Sequence, residues 1–319
     1  SDNNSIDNVI VFSNYSTSTG LYLFQSSNNN VSNNNIKGIN SQAIELDTSN
    51  NNNFSSNYID GTNSYAIYMN ASSYNTFTGN DMRNGQQAIR PYNSSDNIIS
   101  GNTMSNNASY GVDLGGTSSR NTVTGNNVYN NQYGVYMSGT ASNNVVSGNT
   151  FTANTLGGIS LNNTSGKSVI SDNIIADNGG VTFNGGIEIS DSDNNVVTDN
   201  YITDTSCTTT CYAIDITGST SDKTFLSGNR FSGSAANAAS INDAGTGTIY
   251  AGQQTNTTTS TLSDVSDFRF RGSANSTTAF AVQNASGVSV LNIDTTNGEV
   301  ELGTSALAGK LLVSDGSSN

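Results

Sequence analysis

Apolar side chains in this chain come in short bursts set between Asn, Ser, Thr and Gly, and the bursts recur. Residues 121–131 read NTVTGNNVYNN, and residues 144–154, NVVSGNTFTAN, keep the same order of types. The Asn that closes each unit falls at Asn34, Asn57, Asn80, Asn102, Asn126, Asn149, Asn173, Asn200 and Asn229, in steps of 22 to 29 residues. A second register runs beside it: GLYL at 20–23, AIEL at 43–46, AIYM at 66–69, AIRP at 88–91, GVDL at 111–114, GVYM at 134–137, GISL at 158–161, GIEI at 186–189 and AIDI at 213–216. Small, apolar, variable, apolar is a period of two, with two side chains in and one out. No segment keeps a helical period over two turns.

A repeat of this length admits a leucine-rich horseshoe or a β-solenoid. Leu is scarce and Val and Ile are common, which favours the solenoid. The pattern predicts an all-β chain, a single-stranded parallel β-helix of about ten coils of 22–29 residues, each burying its apolar face against its neighbours. The Asn column then has two uses. Asn tolerates the left-handed backbone of a sharp corner, and stacked Asn side chains can bond from coil to coil as a ladder. Ser32, Ser55, Thr78, Ser100, Thr124, Ser147, Ser171, Thr198 and Ser227 would form a parallel row.

Units such as NTVTGNNVYNN followed by YGVYM resemble the parallel β-helix repeats of the NosD-like and pectate-lyase-like superfamily, over roughly residues 7–233. The resemblance implies a right-handed helix. It implies no single activity, because lyases, hydrolases, epimerases, tailspikes and non-catalytic surface proteins share the fold. The reading divides the chain into a β-helix (1–233), a closing coil or linker (234–262) and a small, truncated β-rich module (263–319). The last resembles a short repeat of fibre-like surface proteins, and it would leave the protein a monomer or a homotrimer joined through that module.

Composition narrows the partners. The formal charge is −14, from 24 acidic and 10 basic residues. That speaks against nucleic acid and anionic membranes. It also disfavours acidic polymers globally, while leaving room for a local basic patch. No apolar run is long enough for membrane insertion. The chain opens inside the Asn-rich pattern and reads as a mature or trimmed piece. Its two cysteines, Cys207 and Cys211, are spaced for a tight loop disulfide, or stand as two thiols; with the rest of the composition they suit an extracellular or cell-surface setting. There is no histidine, so histidine-dependent mechanisms are excluded.

The variable position of the second register gives an outward column of Tyr22, Glu45, Tyr68, Arg90, Asp113, Tyr136, Ser160, Glu188 and Asp215. Such a face suits an extended polysaccharide or cell-surface glycan, the aromatics on sugar faces and the polar groups on hydroxyls. A plain solvated sheet is the competing account, because Tyr favours strands and Arg90 can pair with Asp113. Within the column, Glu188 and Asp215 form a carboxylate pair that could act as acid and nucleophile or base. Lys37 and Arg83, either side of Asp60 on another strand, could hold an acidic sugar or act as base. Glu188, Asp191 and Asp193, with Asn195, present oxygen ligands that admit calcium as the one cofactor. Low charge density, the absence of histidine, the regular Asn ladder and the fibre-like module together favour an extracellular structural β-helix that binds glycans without turnover. The alternative is a polysaccharide-active enzyme: lyase, glycoside hydrolase or epimerase.

Overall fold

The computed structural model describes residues 2–13, 17–163, 166–179, 186–204, 212–218, 221–233, 241–251, 254–255, 280–283, 289–294 and 299–301. The chain forms two compact units, Ser1–Thr261 and Leu262–Asn319. Cys207 and Cys211 lie outside the described residues, as does most of the 181–186 insert.

The first unit is the predicted parallel β-solenoid. One winding shows the plan: strands Thr76–Thr78, Asp81–Arg83 and Gln87–Tyr92 each contribute to a different sheet. The first sheet runs through 11 strands from Ser5–Asp7 to Ile249–Ala251, the second through 11 from Ile10–Phe12 to Gln254–Thr255, and the third through 10 from Leu21–Phe24 to Ile241–Asp243. The strands pair parallel with their equivalents one coil away, so Ile67, Ile89 and Val112 stack in one inward row. Stacking continues to Thr255, past the point at Phe231 where the sequence pattern fades.

Most three-residue strands bury only their middle side chain, though Ser32 and Ser105 are buried as well. Phe54, Phe77, Ile99, Val123 and Val146 fill the inside of the first sheet, and Ile59, Met82, Met104, Val128 and Phe151 that of the second. The rings of Phe54 and Phe77 stack 4.9 Å apart. Identical positions one strand spacing apart must hold side chains of matched volume, and this is why one apolar type can follow another up each row.

The corner between the first two sheets holds the predicted Asn ladder. Each Nδ2 donates to the Oδ1 of the next: Asn57 to Asn80 at 2.9 Å, Asn80 to Asn102 at 3.0 Å, Asn102 to Asn126 at 3.0 Å and Asn126 to Asn149 at 2.9 Å. The two roles expected of these Asn residues are split. The left-handed backbone falls one residue earlier, at Asn33 (φ 56), Ser56 (φ 54), Gly101 (φ 62) and Asp172 (φ 57), while the ladder Asn is freed for hydrogen bonding. Two further Asn columns do the same work at the other corners: Asn52–Asn75–Asn97–Asn121 and Asn107–Asn131–Asn154–Asn178. The Ser/Thr row lies in register along the first sheet, with Thr78 and Ser100 hydroxyls 3.3 Å apart.

In the second unit the described residues form an antiparallel sheet of Phe280–Gln283, Ser289–Asp294 and Glu299–Glu301.

Candidate functional site

The third sheet has the longest strands, up to six residues against three in the first. A longer strand presents more outward positions, and here they carry the chemistry. The predicted column is in register: Tyr22 beside Glu45, Glu45 beside Tyr68, Tyr68 beside Arg90, then Asp113, Tyr136, Ser160, Glu188, Asp215 and Asn242 in turn. Ile89 pairs with Val112, which sets Arg90 beside Asp113.

A second outward column, missed in the sequence, flanks the first. Tyr65, Gln87, Tyr110 and Tyr133 sit three residues before Tyr68, Arg90, Asp113 and Tyr136, at the entry to each long strand. The two buried residues between them turn inward together, so both flanks face out. The rings of Tyr65 and Tyr68 stack at 5.1 Å and those of Tyr110 and Tyr136 at 4.6 Å, with Tyr133 5.8 Å from Tyr136. The signal was legible: SYAIYM, SYGVDL and QYGVYM each place Tyr just before the small residue.

Arg90 sits between two tyrosine faces, 5.4 Å from the ring centres of both Tyr65 and Tyr92. It donates from Nη1 to the Tyr65 hydroxyl at 2.8 Å and pairs through Nε with Asp113 Oδ2 at 3.4 Å. Asp113 is only 4 % exposed. Burial pushes its carboxyl up to about 6, against the opposing pull of Arg90 and of a hydrogen bond with Gln87. Pro91, the single proline, adjoins Arg90 within the sheet. It brings no N–H, a rare choice inside a sheet, and pairing with the next coil resumes only at the bridge of Tyr92 to Gly115. A side chain at Gly115 would come within 3.2 Å of the Tyr92 ring, so this glycine leaves room for the Arg90 pocket.

Further along, Glu188 Oε2 accepts from Ser160 Oγ at 3.0 Å and from the Tyr133 hydroxyl at 3.3 Å. Asp215, one coil on and 2 % exposed, accepts from Asn242 Nδ2 at 2.7 Å. The pair are direct register partners. Burial and the adjacent Glu188 push the Tyr133 phenol well up, and burial does the same to Tyr110 and Tyr136. These phenols therefore stay protonated and are available as hydrogen-bond donors.

Lys37 and Arg83 belong to the second sheet, away from this face. Asp60 lies in register between them, as read from the sequence. Both cations lie over the Tyr58 ring, at 4.9 and 5.3 Å, and Arg83 is also paired with Asp81. The three calcium candidates are divided. Glu188 lies on the third sheet, whereas Asp191 and Asp193 line a corner cavity of about 500 Å³ with Lys167 and Asn194. Among the described residues no group of three or more His, Cys, Asp or Glu side chains comes together to hold a metal ion.

A family model described as the right handed beta helix region matches the chain in overlapping stretches, residues 1–82, 19–169, 65–231 and 129–261. The chain belongs to the right-handed β-helix family. Among solved structures it resembles the periplasmic alginate epimerase AlgG in a double-mutant form, at 13 % identity and a TM-score of 0.57, over 73 % of this chain and 70 % of that one. It resembles DFA-IIIase from Arthrobacter chlorophenolicus without its lid at 14 % identity and a TM-score of 0.55, over 77 % and 70 %. The A-module of the mannuronan C-5 epimerase AlgE6 of Azotobacter vinelandii aligns at 13 % and 0.50, over 74 % and 87 %. No curated protein matches the chain. These likenesses carry the fold. They also correct the expectation that a role without turnover is the better reading, since each of these solved structures is named as an enzyme. The sequence reading took low charge and missing histidine as missing chemistry. Carboxylates and phenols held in register supply proton donors and acceptors without either.

Proposed function

We propose that this protein is a polysaccharide-active enzyme that binds an extended glycan along the outer face of the third sheet and breaks a glycosidic bond at Glu188 and Asp215. The observation that carries this is the in-register carboxylate pair beside a platform of tyrosines. Adjacent strands lie about 4.8 Å apart, close to the roughly 5 Å carboxyl separation of glycosidases that retain anomeric configuration. Glu188, the more exposed and already accepting two hydroxyl hydrogens, suits attack on the sugar. Asp215, enclosed beside it, suits proton donation to the leaving oxygen. The rings of Tyr110, Tyr133 and Tyr136 lie on the approach to the pair and would stack on sugar units bound there.

Electrostatics favour a largely neutral chain around this centre. Glu45, Asp113, Glu188 and Asp215 lie on the column against one cation, Arg90. The names of the alginate epimerases point the other way, to uronates, with elimination or epimerisation at Arg90 as the second reading. An extracellular or cell-surface location goes with either; one relative is named periplasmic. The narrower likeness to NosD-like proteins and a fibre-like second unit belong to the same proposal.

The test is turnover on neutral and acidic polysaccharides, read both as new reducing ends and as unsaturated ends. New reducing ends are expected, lost at least about a hundredfold in Glu188→Gln and in Asp215→Asn, with retained anomeric configuration by NMR. Unsaturated product, or full activity in both variants, would replace this reading with the second.

A further inference from the structure

Arg90 has features that the carboxylate pair does not use. A guanidinium carries five N–H donors in a flat fork that matches a carboxylate. Here one goes to the Tyr65 hydroxyl, while Nε faces Asp113 at 3.4 Å and, though buried, makes no hydrogen bond of good geometry. Beside it, Gln87 is 7 % exposed and is hydrogen-bonded to Asp113, holding that carboxyl against Arg90. Two tyrosine rings wall the guanidinium. Such a group is desolvated enough to make a charge-assisted bond strong, and its side chain is still 27 % exposed to an incoming ligand.

Its place in the column gives this meaning. From Arg90 the register steps through Asp113, Tyr136 and Ser160 to Glu188. Four strand spacings amount to roughly 19 Å. A sugar unit in an extended chain advances by a length similar to one strand spacing, so about four units span the interval. We propose that Arg90, with the rings of Tyr65 and Tyr92, is a subsite that reads the carboxylate of a uronate about four sugar units from the bond broken at Glu188 and Asp215. The substrate class is then a mainly neutral polysaccharide with regularly spaced uronates. This rests on the assignment of the carboxylate pair.

Asp113 balances Arg90 when no ligand is bound. The groups around the guanidinium are Tyr65 and Tyr68 from the preceding strand, Gln87 and Tyr92 from its own, and Tyr110 and Asp113 from the next; Asp113 is the carboxyl among them. When it takes up a proton, Arg90 presents an uncompensated charge to the uronate.

Gellan, in which glucuronate is spaced among neutral sugars, and its carboxyl-reduced form are the probes, with affinity electrophoresis of the full chain as the measurement. Wild type is expected to hold the acidic form about tenfold more tightly, by a wider margin at about pH 5 than at about pH 7.5. Arg90→Gln should erase the margin, weakening the hold on the acidic polymer far more than that on the reduced one. The double variant Arg90→Gln, Asp113→Asn leaves no unpaired buried charge and should erase it likewise if the single variant fails to fold. Equal binding of the two polymers, binding of neither, or parallel loss of both in the variants overturns the subsite. Glu188→Gln and Asp215→Asn separate the two ideas: turnover that survives in them while the margin persists removes the carboxylate pair and keeps the subsite. An unsaturated product that Arg90→Gln abolishes makes Arg90 the reacting centre, and the subsite falls.

Discussion

Asn126 shows why a chain so polar folds around a dry core. Its Oδ1 accepts from both the backbone N–H and the side-chain amide of Asn102, at 2.9 and 3.0 Å. Its own Nδ2 donates to Ile99 O, Thr124 O and Asn149 Oδ1. One side chain satisfies groups of three coils, and each would cost free energy if buried alone. Asn126→Ala should therefore destabilise by about 3 kcal/mol, whereas Asn127→Ala, at an exposed strand position one residue away, should change stability by less than about 0.5 kcal/mol. Urea denaturation monitored by circular dichroism compares the two; equal effects would remove the ladder as a source of stability. The ladder was legible because the repeat exposes it as a column. The Asn columns at the other corners were not, because that alignment followed one Asn in each unit. Asp113 supplies the pH counterpart. Its carboxyl, raised to about 6 in the folded chain, favours the protonated form there. The stability this contributes is full below the ordinary carboxyl range and is lost as pH rises through about 6, by a total of about 3 kcal/mol. Asp113→Asn should flatten that fall between about pH 4 and about pH 7, and an unchanged slope in urea melts would place the titration elsewhere.

At the scale of the strand, the long members of the third sheet explain the sequence order small, apolar, variable, apolar. The small residue opens the strand where it crowds the next coil. A Cβ on Gly134 would lie 2.3 Å from Phe151 Cδ1 and 2.6 Å from Gly158 O, and one on Gly111 would lie 2.6 Å from Gly134 O. Ala43, Ala66 and Ala88 occupy the same position in earlier coils and are buried. The later coils spend that space on Phe151 and Ile175 instead. Gly134→Ala should thus cost about 1–3 kcal/mol from overpacking, and Gly134→Ala combined with Phe151→Leu should recover much of it. A thermal-melt cycle measures the coupling; simple additivity would mean the clash is relieved by backbone movement. The period-two pattern revealed which residues point out, and so the Tyr22–Asp215 column followed from sequence. Period two alone hides Tyr65, Tyr110 and Tyr133 from that face, because it puts positions three apart on opposite sides. The pair of buried residues between them breaks that rule, and the sign of it in the sequence is the recurrence of Tyr just before the small residue.

At the scale of the described solenoid, stability is close to a sum of coil–coil interfaces, and among the described residues the outer coils have one such partner and the middle coils two. Burial follows this. Phe77, Ile99, Val123 and Val146 are fully enclosed, whereas Ile6, Val11 and Leu21 at one end and Ile241 and Tyr250 at the other are only partly covered. The outer face of the third sheet spans this gradient. Arg90 and Asp113 lie in the middle of the stack, while Asp215 pairs with Asn242 on the last described strand of its sheet. Opening of that winding therefore removes the Asn242 hydrogen bond to Asp215 before it disturbs Arg90. Amide hydrogen exchange should show protection falling from residues 76–162 towards both 5–24 and 241–251, because local opening costs least where interfaces are fewest. Asn242→Ala, which removes one hydrogen bond to Asp215 without touching the core, should lower kcat while leaving uronate-dependent binding at Arg90 intact. Uniform protection along the stack, or a loss of binding in step with kcat, would mean the solenoid opens as one body and that the two ends of the face are not energetically separable.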